Sequence, residues 1–312
     1  MKYELLELLR CPACGQRLSL AVGEEERKEV KTGTLTCTGG NHTYDISRFI
    51  PRFVDADKYA DSFSRQRLYV RKHFRHYEHD RSGDAQFLPT TGFSKEALKQ
   101  GFALEVGCGY GRFVDVVQRL GGRIVGVDLS THSIDLAQDF VGLRDNVFLV
   151  QADLFALPFA RETFDHIYSI GVLHHTPDTK RAFEAVVPYL ARGGHIAIWV
   201  YHPLEKRSSN VWRMVTTRLN HRVLYGACIA NQALFSWIRG LPGGWRFSHI
   251  IPGAGPRPGQ TFWLRVLGDF DNLSPKFAYV HSEPEVAAWF RDAGLKDVRA
   301  LPRRTAVCGK KQ

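Results

Sequence analysis

The sequence predicts an α/β fold built on a doubly wound parallel sheet. Three observations predict it. From residue 103 onward, short apolar runs alternate with amphipathic stretches of helical period, the order that gives parallel strands joined by crossover helices. The first run, Ala103-Leu104-Glu105-Val106, breaks into Gly107-Cys108-Gly109-Tyr110-Gly111 before a helical pattern starts at Arg112. A second run ends on Asp128, seventeen residues after Gly111, the distance at which a second strand presents a carboxylate to a ribose.

In chain order, residues 4–10 read as a short amphipathic helix carrying Leu5, Leu6, Leu8 and Leu9. Cys11-Pro12-Ala13-Cys14-Gly15 follows, and after a charged loop come Cys37 and His42, each cysteine in a turn of small residues. Three thiolates and one imidazole make a closed tetrahedral zinc set, which is structural because it leaves no coordination position open. Residues 43–53 supply strand-like apolar side chains to cover the metal. Residues 1–54 are thus read as a zinc-ribbon-like module. Residues 55–100 connect it to the main domain, with Ser94 capping a short helix. His73, His76 and His79 drift off one helix face and lack an acid partner, so they are read as a solvated stretch.

The main domain, residues 101–200, continues after strand 103–106 as helix 112–120, strand 123–128, helix 131–141, strand 147–151, strand 164–170, helix 179–190 and strand 194–200. Ligands on such sheets sit at the carboxyl ends of the strands. Glu105, Asp128, Asp153 and Ile170-Gly171 fall there. The ligand follows from the spacing. A dinucleotide site needs Gly or Ala where this chain has Arg112, and Glu105 would repel a pyrophosphate. S-adenosylmethionine carries an ammonium, a ribose and no phosphate.

These stretches resemble class I methyltransferases of the ubiquinone and menaquinone C-methyltransferase kind, methyltransferase type 11. The resemblance implies a Rossmann-like seven-stranded sheet whose last strand is antiparallel. It implies a cofactor site made of Glu105, Gly107, Cys108, Gly109, Gly111, Asp128, Leu129, Asp153, Leu154, Ile170 and Gly171. In that reading Asp153 accepts from the adenine amino group and Leu154 packs on the ring. Asp165 anchors the sheet edge. Tyr59 and Phe63, in a lid within 55–100, line the cofactor. The N-terminal segment resembles the zinc ribbon that precedes some methyltransferases, including ribosomal-RNA guanine-N1 enzymes, and the small tRNA-methyltransferase activator protein. That resemblance covers roughly residues 5–54 and implies Cys11, Cys14, Cys37 and His42 as metal ligands.

His174 and His175, in Leu173-His174-His175-Thr176-Pro177-Asp178, sit where the methyl would leave the sulfur. An acceptor bearing a hydroxyl or enol needs a base that titrates near neutrality, which suits imidazole, so both are candidate catalytic residues.

Residues 201–275 read as a helical insertion over the acceptor site, apolar on one broad side and basic on the other. Between Tyr201 and Leu267 lie nine basic residues and one acid, Glu205, against a whole-chain net charge of +10. Trp212, Trp237, Trp245 and Trp263, four of the chain's six tryptophans, lie in it. A cationic, aromatic roof fits an anionic small-molecule or lipid-linked acceptor, and the same features suit a membrane surface. Nucleic acid is the lesser reading, as an RNA base methyltransferase holding RNA by ribbon and insertion. A scaffold with a decayed cofactor site is the remaining alternative, and the intact carboxylates and glycines speak against it. Residues 276–312 supply a helix capped at Ser282 and strands near 296–301 and 304–309.

No apolar run approaches the roughly 20 residues that span a bilayer. The first residues lack a signal-peptide pattern, and six cysteines with one Cys-x-x-Cys point to metal chemistry in a reducing compartment. The expectation is a cytoplasmic enzyme.

Overall fold

The computed structural model describes residues 1–54, 83–205, 207–235, 237, 241, 243 and 261–312. Tyr59, Phe63 and the three histidines of the 55–82 stretch lie outside them, as do Trp245 and residues 244–260. A short helix, Tyr3–Leu8 (α1), precedes four strands: Leu18–Glu26 (β1), Glu29–Cys37 (β2), Thr43–Ser47 (β3) and Ile50–Arg52 (β4). Two helices, Asp84–Thr91 (α2) and Lys95–Gln100 (α3), lead into Phe102–Val106 (β5). The alternation expected from the sequence follows: Arg112–Arg119 (α4), Arg123–Asp128 (β6), Thr131–Val141 (α5), Val147–Gln151 (β7), Phe164–Ile170 (β8), Thr179–Val186 (α6) and Leu190–Trp199 (β9). The insertion holds Arg207–Thr216 (α7), His221–Phe235 (α8) and Phe262–Leu273 (α9). The chain then closes with Glu283–Asp292 (α10), Lys296–Ala300 (β10) and Ala306–Lys310 (β11).

Seven strands in the order β7-β6-β5-β8-β9-β11-β10 make the expected sheet, parallel from β7 to β9 and antiparallel at β11 and β10. Side chains alternate across it as the pleat requires. Leu104, Val106, Val125 and Val127 face one layer with Phe183 of α6 and Trp289 and Phe290 of α10. Ala103, Ile124 and Leu149 face the other, with Phe87 of α2, Phe113 of α4 and Ile134 of α5. Asp165 does not sit at an edge as expected: its Oδ2 accepts from the Phe102 N–H at 2.8 Å and so ties the starts of β8 and β5, two central strands. Ser94 and Ser282 cap α3 and α10, the latter in a reciprocal box with Glu285.

The ribbon does not stand apart from this sheet. Strands β1 to β4 form an antiparallel meander, and β4 runs parallel beside β7 through Arg52 opposite Gln151, so the sheet continues to eleven strands. The Phe53 N–H donates to the Gln151 carbonyl at 2.8 Å, and Leu9 bridges to Phe159. Leu5, Leu9, Leu35 and Ile46 of the ribbon share one buried cluster with Phe148, Val150 and Phe159 of the main domain. Across the junction Arg52 reaches both Gln151 Oε1, at 2.8 Å, and Asp135 Oδ1, at 2.7 Å.

The insertion departs from the predicted amphipathic pattern. Helices α8 and α9 build a small core from Leu224, Tyr225, Cys228, Val266, Leu267 and Phe270. Helix α7, however, turns Arg213 and Thr216 inward, where they donate to the carbonyls of Pro275, at 2.6 Å, and Leu273, at 2.9 Å. Its apolar Val211, Met214 and Val215 point outward. The carbonyls of Leu273, in the last turn of α9, and of Pro275, just past it, need donors, and that demand outranks hydrophobic periodicity here.

Candidate functional site

The turn after β5 folds back onto the tip of β6. The N–H groups of Gly107 and Cys108 both donate to the Val127 carbonyl, at 2.8 and 2.9 Å, and the Gly109 N–H donates to Asp128 Oδ2 at 2.8 Å. Gly107, Gly109 and Gly111 all take positive φ, at 78°, 58° and 89°. Gly107 is required twice over, because a Cβ there would also lie 2.4 Å from Val172 Cγ1, on the loop after β8. Cys108 packs beneath the turn and is buried.

The candidate cofactor residues gather at the carboxyl tips of neighbouring strands. Glu105 lies in β5 opposite Gly126 on one side and Tyr168 on the other. Asp128 ends β6, with Leu129 just beyond it. Asp153 and Leu154 follow β7. Ile170 ends β8 and Gly171 follows, its N–H donating to the Trp199 carbonyl at 3.0 Å.

The three carboxylates differ in environment. Glu105 is 2 % exposed and accepts from the Tyr168 hydroxyl at 3.2 Å. Burial pushes its carboxyl well above the ordinary glutamate value of 4.5, against the lowering pull of Tyr168 and Arg112, while Asp128 adds repulsion. Asp128 accepts from backbone N–H groups with both oxygens, the second from Ser130 at 2.9 Å. Asp153 caps the short turn Leu154–Ala156 through the Phe155 N–H at 3.1 Å. The set is rich in acceptors, which suits hydroxyl and amine donors and not phosphate.

His174 and His175 form a short turn after β8 and are both buried. The His175 Nδ1–H donates to the Phe277 carbonyl at 2.8 Å, which fixes the tautomer. His174 lies against Tyr201, ring centroids 3.7 Å apart, and near His175 at 4.2 Å. Tyr168 and Tyr201 are site neighbours that the sequence reading missed. Each sits in or beside a strand, where an aromatic reads as core, and only register shows what its ring or hydroxyl meets.

The ribbon's four donors also come together. One ligand atom each from Cys11, Cys14, Cys37 and His42 all lie within 4.8 Å of one another, with Cys14 and Cys37 sulfurs at 3.3 Å and Cys11 Sγ to His42 Nδ1 at 3.6 Å. Sulfurs 3.3 Å apart are not bonded, since a disulfide needs about 2.05 Å. Zinc held at about 2.3 Å from sulfur in a tetrahedron sets ligand-to-ligand edges of roughly 3.7 Å, close to those seen. Burial raises the Cys11 thiol, but hydrogen bonds from the Tyr44 hydroxyl and from the N–H groups of Ala13 and Cys14 outweigh it and bring it down to about 6.

The fold and this arrangement define a doubly wound sheet with acidic strand tips beside a glycine turn, extended by a cysteine-bearing ribbon. Residues 104–198 match the family described as methyltransferase domain, and residues 2–48 match the family described as Trm112p-like protein. The chain carries a methyltransferase domain behind a Trm112p-like module. It is similar to methyltransferase GfsG of Streptomyces halstedii, 33 % identical over 99 residues, covering 30 % of this chain and 36 % of that protein. It is similar to the tRNA (carboxymethyluridine(34)-5-O)-methyltransferase of Saccharomyces cerevisiae, 34 % identical over 122 residues, covering 38 % of this chain and 42 % of that one. The chain therefore spans less than half the length of these curated relatives. Among solved structures, a complex of the Haloferax volcanii Trm112 methyltransferase activator with a methyltransferase aligns over 79 % of this chain and 78 % of that chain, at 16 % identity and TM-score 0.45. No helix of the described residues is long and apolar enough to cross a membrane.

The Glu105 environment carries a signed expectation. A carboxyl raised by burial binds its proton more tightly folded than unfolded, so it makes the fold lose stability as pH rises above 4.5. Glu105→Gln keeps an acceptor for Tyr168 and removes the titration. In urea unfolding the variant is expected to be more stable than the parent at neutral pH, with the gap closing as pH falls toward 4.5. A gap that does not change with pH would contradict the assignment.

Proposed function

We propose that this chain transfers the methyl group of S-adenosylmethionine to an anionic small-molecule or lipid-linked acceptor. The observation that supports this most is the meeting of Glu105, Asp128 and Asp153 at adjacent strand tips beside the glycine turn. In this reading Asp128, with Leu129 beside it, takes the ribose hydroxyls. Asp153 accepts from the adenine amino group while Leu154 packs on the ring. Glu105 answers the ammonium, and Gly107, Cys108, Gly109, Gly111, Ile170 and Gly171 shape the walls. The cofactor supplies a methyl already activated on a sulfonium. The chain's own task is alignment and exclusion of water, since in-line displacement is accelerated mainly by positioning. His174 and His175 are assigned to the acceptor side. With Nδ1 of His175 protonated toward Phe277, Nε2 is the lone-pair nitrogen of the neutral ring and the atom that would take an acceptor proton.

Asp128→Asn keeps one oxygen for the Gly109 N–H, whereas Asp128→Ala leaves two backbone donors without their partner. Calorimetric titration with S-adenosylmethionine is expected to show affinity lowered at least about tenfold in both, with the alanine variant alone losing about 1–3 kcal/mol of stability. Unchanged affinity in the asparagine variant would remove Asp128 from the ligand site.

The four ribbon donors fit structural zinc. Purified protein is expected to carry about one zinc per chain by elemental analysis, and Cys37→Ser to lose it with a lower melting midpoint. Metal-free protein of the same stability as the parent would refute the zinc.

A second reading, RNA as acceptor, is favoured by the tRNA-modifying relative, the Trm112p-like match and the basic stretch 201–267. It expects RNA affinity to fall at least about tenfold as salt rises from roughly 50 to 200 mM. Retention that ignores salt would leave the small-molecule reading standing.

A further inference from the structure

Helix α7 is inside out. Val211, Met214 and Val215 recur at the spacing that places them on one helix face, and they are 67 %, 71 % and 61 % exposed. Arg213, between them in sequence, and Thr216, just after them, are 9 % and 8 % exposed and tied to the end of α9. Leu219, in the turn that follows, and Val223, in the first turn of α8, are exposed as well. An outward aliphatic face on a helix that turns Arg213 and Thr216 inward points to a second surface that covers it.

The charge around this face narrows what that surface is. Arg218 and Arg222 are exposed beside it, and no acid occurs from residue 206 to residue 267. A second copy of the same face would bring cation against cation. The half-exposed Trp212 beside the stripe is a single ring, too little to stack successive bases, and suits the headgroup level of a bilayer instead. An aliphatic stripe flanked by guanidinium groups matches a bilayer interface, where acyl chains take the stripe and lipid phosphates take the cations. We propose that α7, with Arg218 and Arg222, seats the chain on an anionic phospholipid surface. The proposal rests on this face alone and does not depend on the methyl-transfer reading.

The test is co-sedimentation of the full chain with vesicles of equal parts phosphatidylglycerol and phosphatidylcholine, and with vesicles of phosphatidylcholine alone. The parent is expected to pellet with the anionic vesicles and at least about tenfold more weakly with the neutral ones. M214D/V215D is expected to lose binding to the anionic vesicles at least about tenfold, while keeping the parent's circular dichroism and melting midpoint. R218E/R222E, which leaves the aliphatic face intact, is expected to abolish the preference for anionic lipid. A parent that stays in the supernatant with anionic vesicles would overturn the proposal, as would M214D/V215D pelleting like the parent. Separation of a dimer by M214D/V215D would instead give the face to a second copy. Loss of RNA retention in these variants with vesicle binding unchanged would give it to a nucleic acid. Either result also overturns the proposal.

Discussion

One carbonyl, that of Val127, receives two N–H groups from the turn after β5, and the next donor along that turn goes to Asp128. This fold-back sets the rest of the site. It presses the glycine turn onto the tip of β6 and starts α4 directly above the sheet. It also fixes the register in which Glu105 lies between Gly126 and Tyr168. A slip of one residue between β5 and β6 would send Asp128 to the opposite face of the sheet and leave the Gly109 N–H without its carboxylate. The turn is also closed from the other side. Val172 occupies the space that any Cβ on Gly107 would need, so the loop carrying His174 and His175 rests on the same turn.

Within that frame the acids are placed at unequal cost. Asp128 and Asp153 are held by backbone donors and stabilise the loops they belong to. Glu105 is buried, and the Tyr168 hydroxyl, the Arg112 charge and a backbone contact at Val114 do not make up for its desolvation and the like charge of Asp128. An apolar residue there would pack against the same neighbours without the desolvation penalty. Acids retained at a cost to stability tend to mark ligand sites, where the lost stability is recovered on binding.

Much of the frame was legible in the sequence, because strand runs bounded by glycine, aspartate and asparagine leave little freedom. Strands 123–128, 147–151 and 164–170 and helix 131–141 form as read. The helix read as 179–190 ends at Val186, since Pro188 lies in a tighter turn that follows. The meeting of the four ribbon donors was also legible, from the Cys-x-x-Cys spacing and the ribbon resemblance. What was hidden depends on partners distant in sequence. The Tyr168 hydroxyl meets Glu105 through strand pairing. Arg213 turns inward for carbonyls at residues 272 and 275. Strand β4 is three residues long and contains Pro51, and only its docking on β7 makes it part of the sheet.

That docking gives the ribbon a route to the strand tips. Arg52, held by Ser47 and Asp135, donates to Gln151 Oε1. The amide of Gln151 in turn donates to the Leu129 carbonyl at 3.0 Å and to Thr131 Oγ1 at 2.9 Å. The residues so reached flank Ser130, whose N–H goes to Asp128. An unbroken chain of polar contacts therefore runs from the strand behind the cysteine cluster to the loop bearing the second carboxylate, and Gln151 and Arg52 along it are both largely shielded from solvent. Hydrogen bonds out of water hold geometry more tightly than exposed ones. The turn between β3 and β4 places Arg52, so whatever orders the ribbon also orders the loop at Asp128. On this geometry the N-terminal module is part of the support of the strand tips, and cutting it away would expose the β7 edge together with the underside of the Asp128 loop.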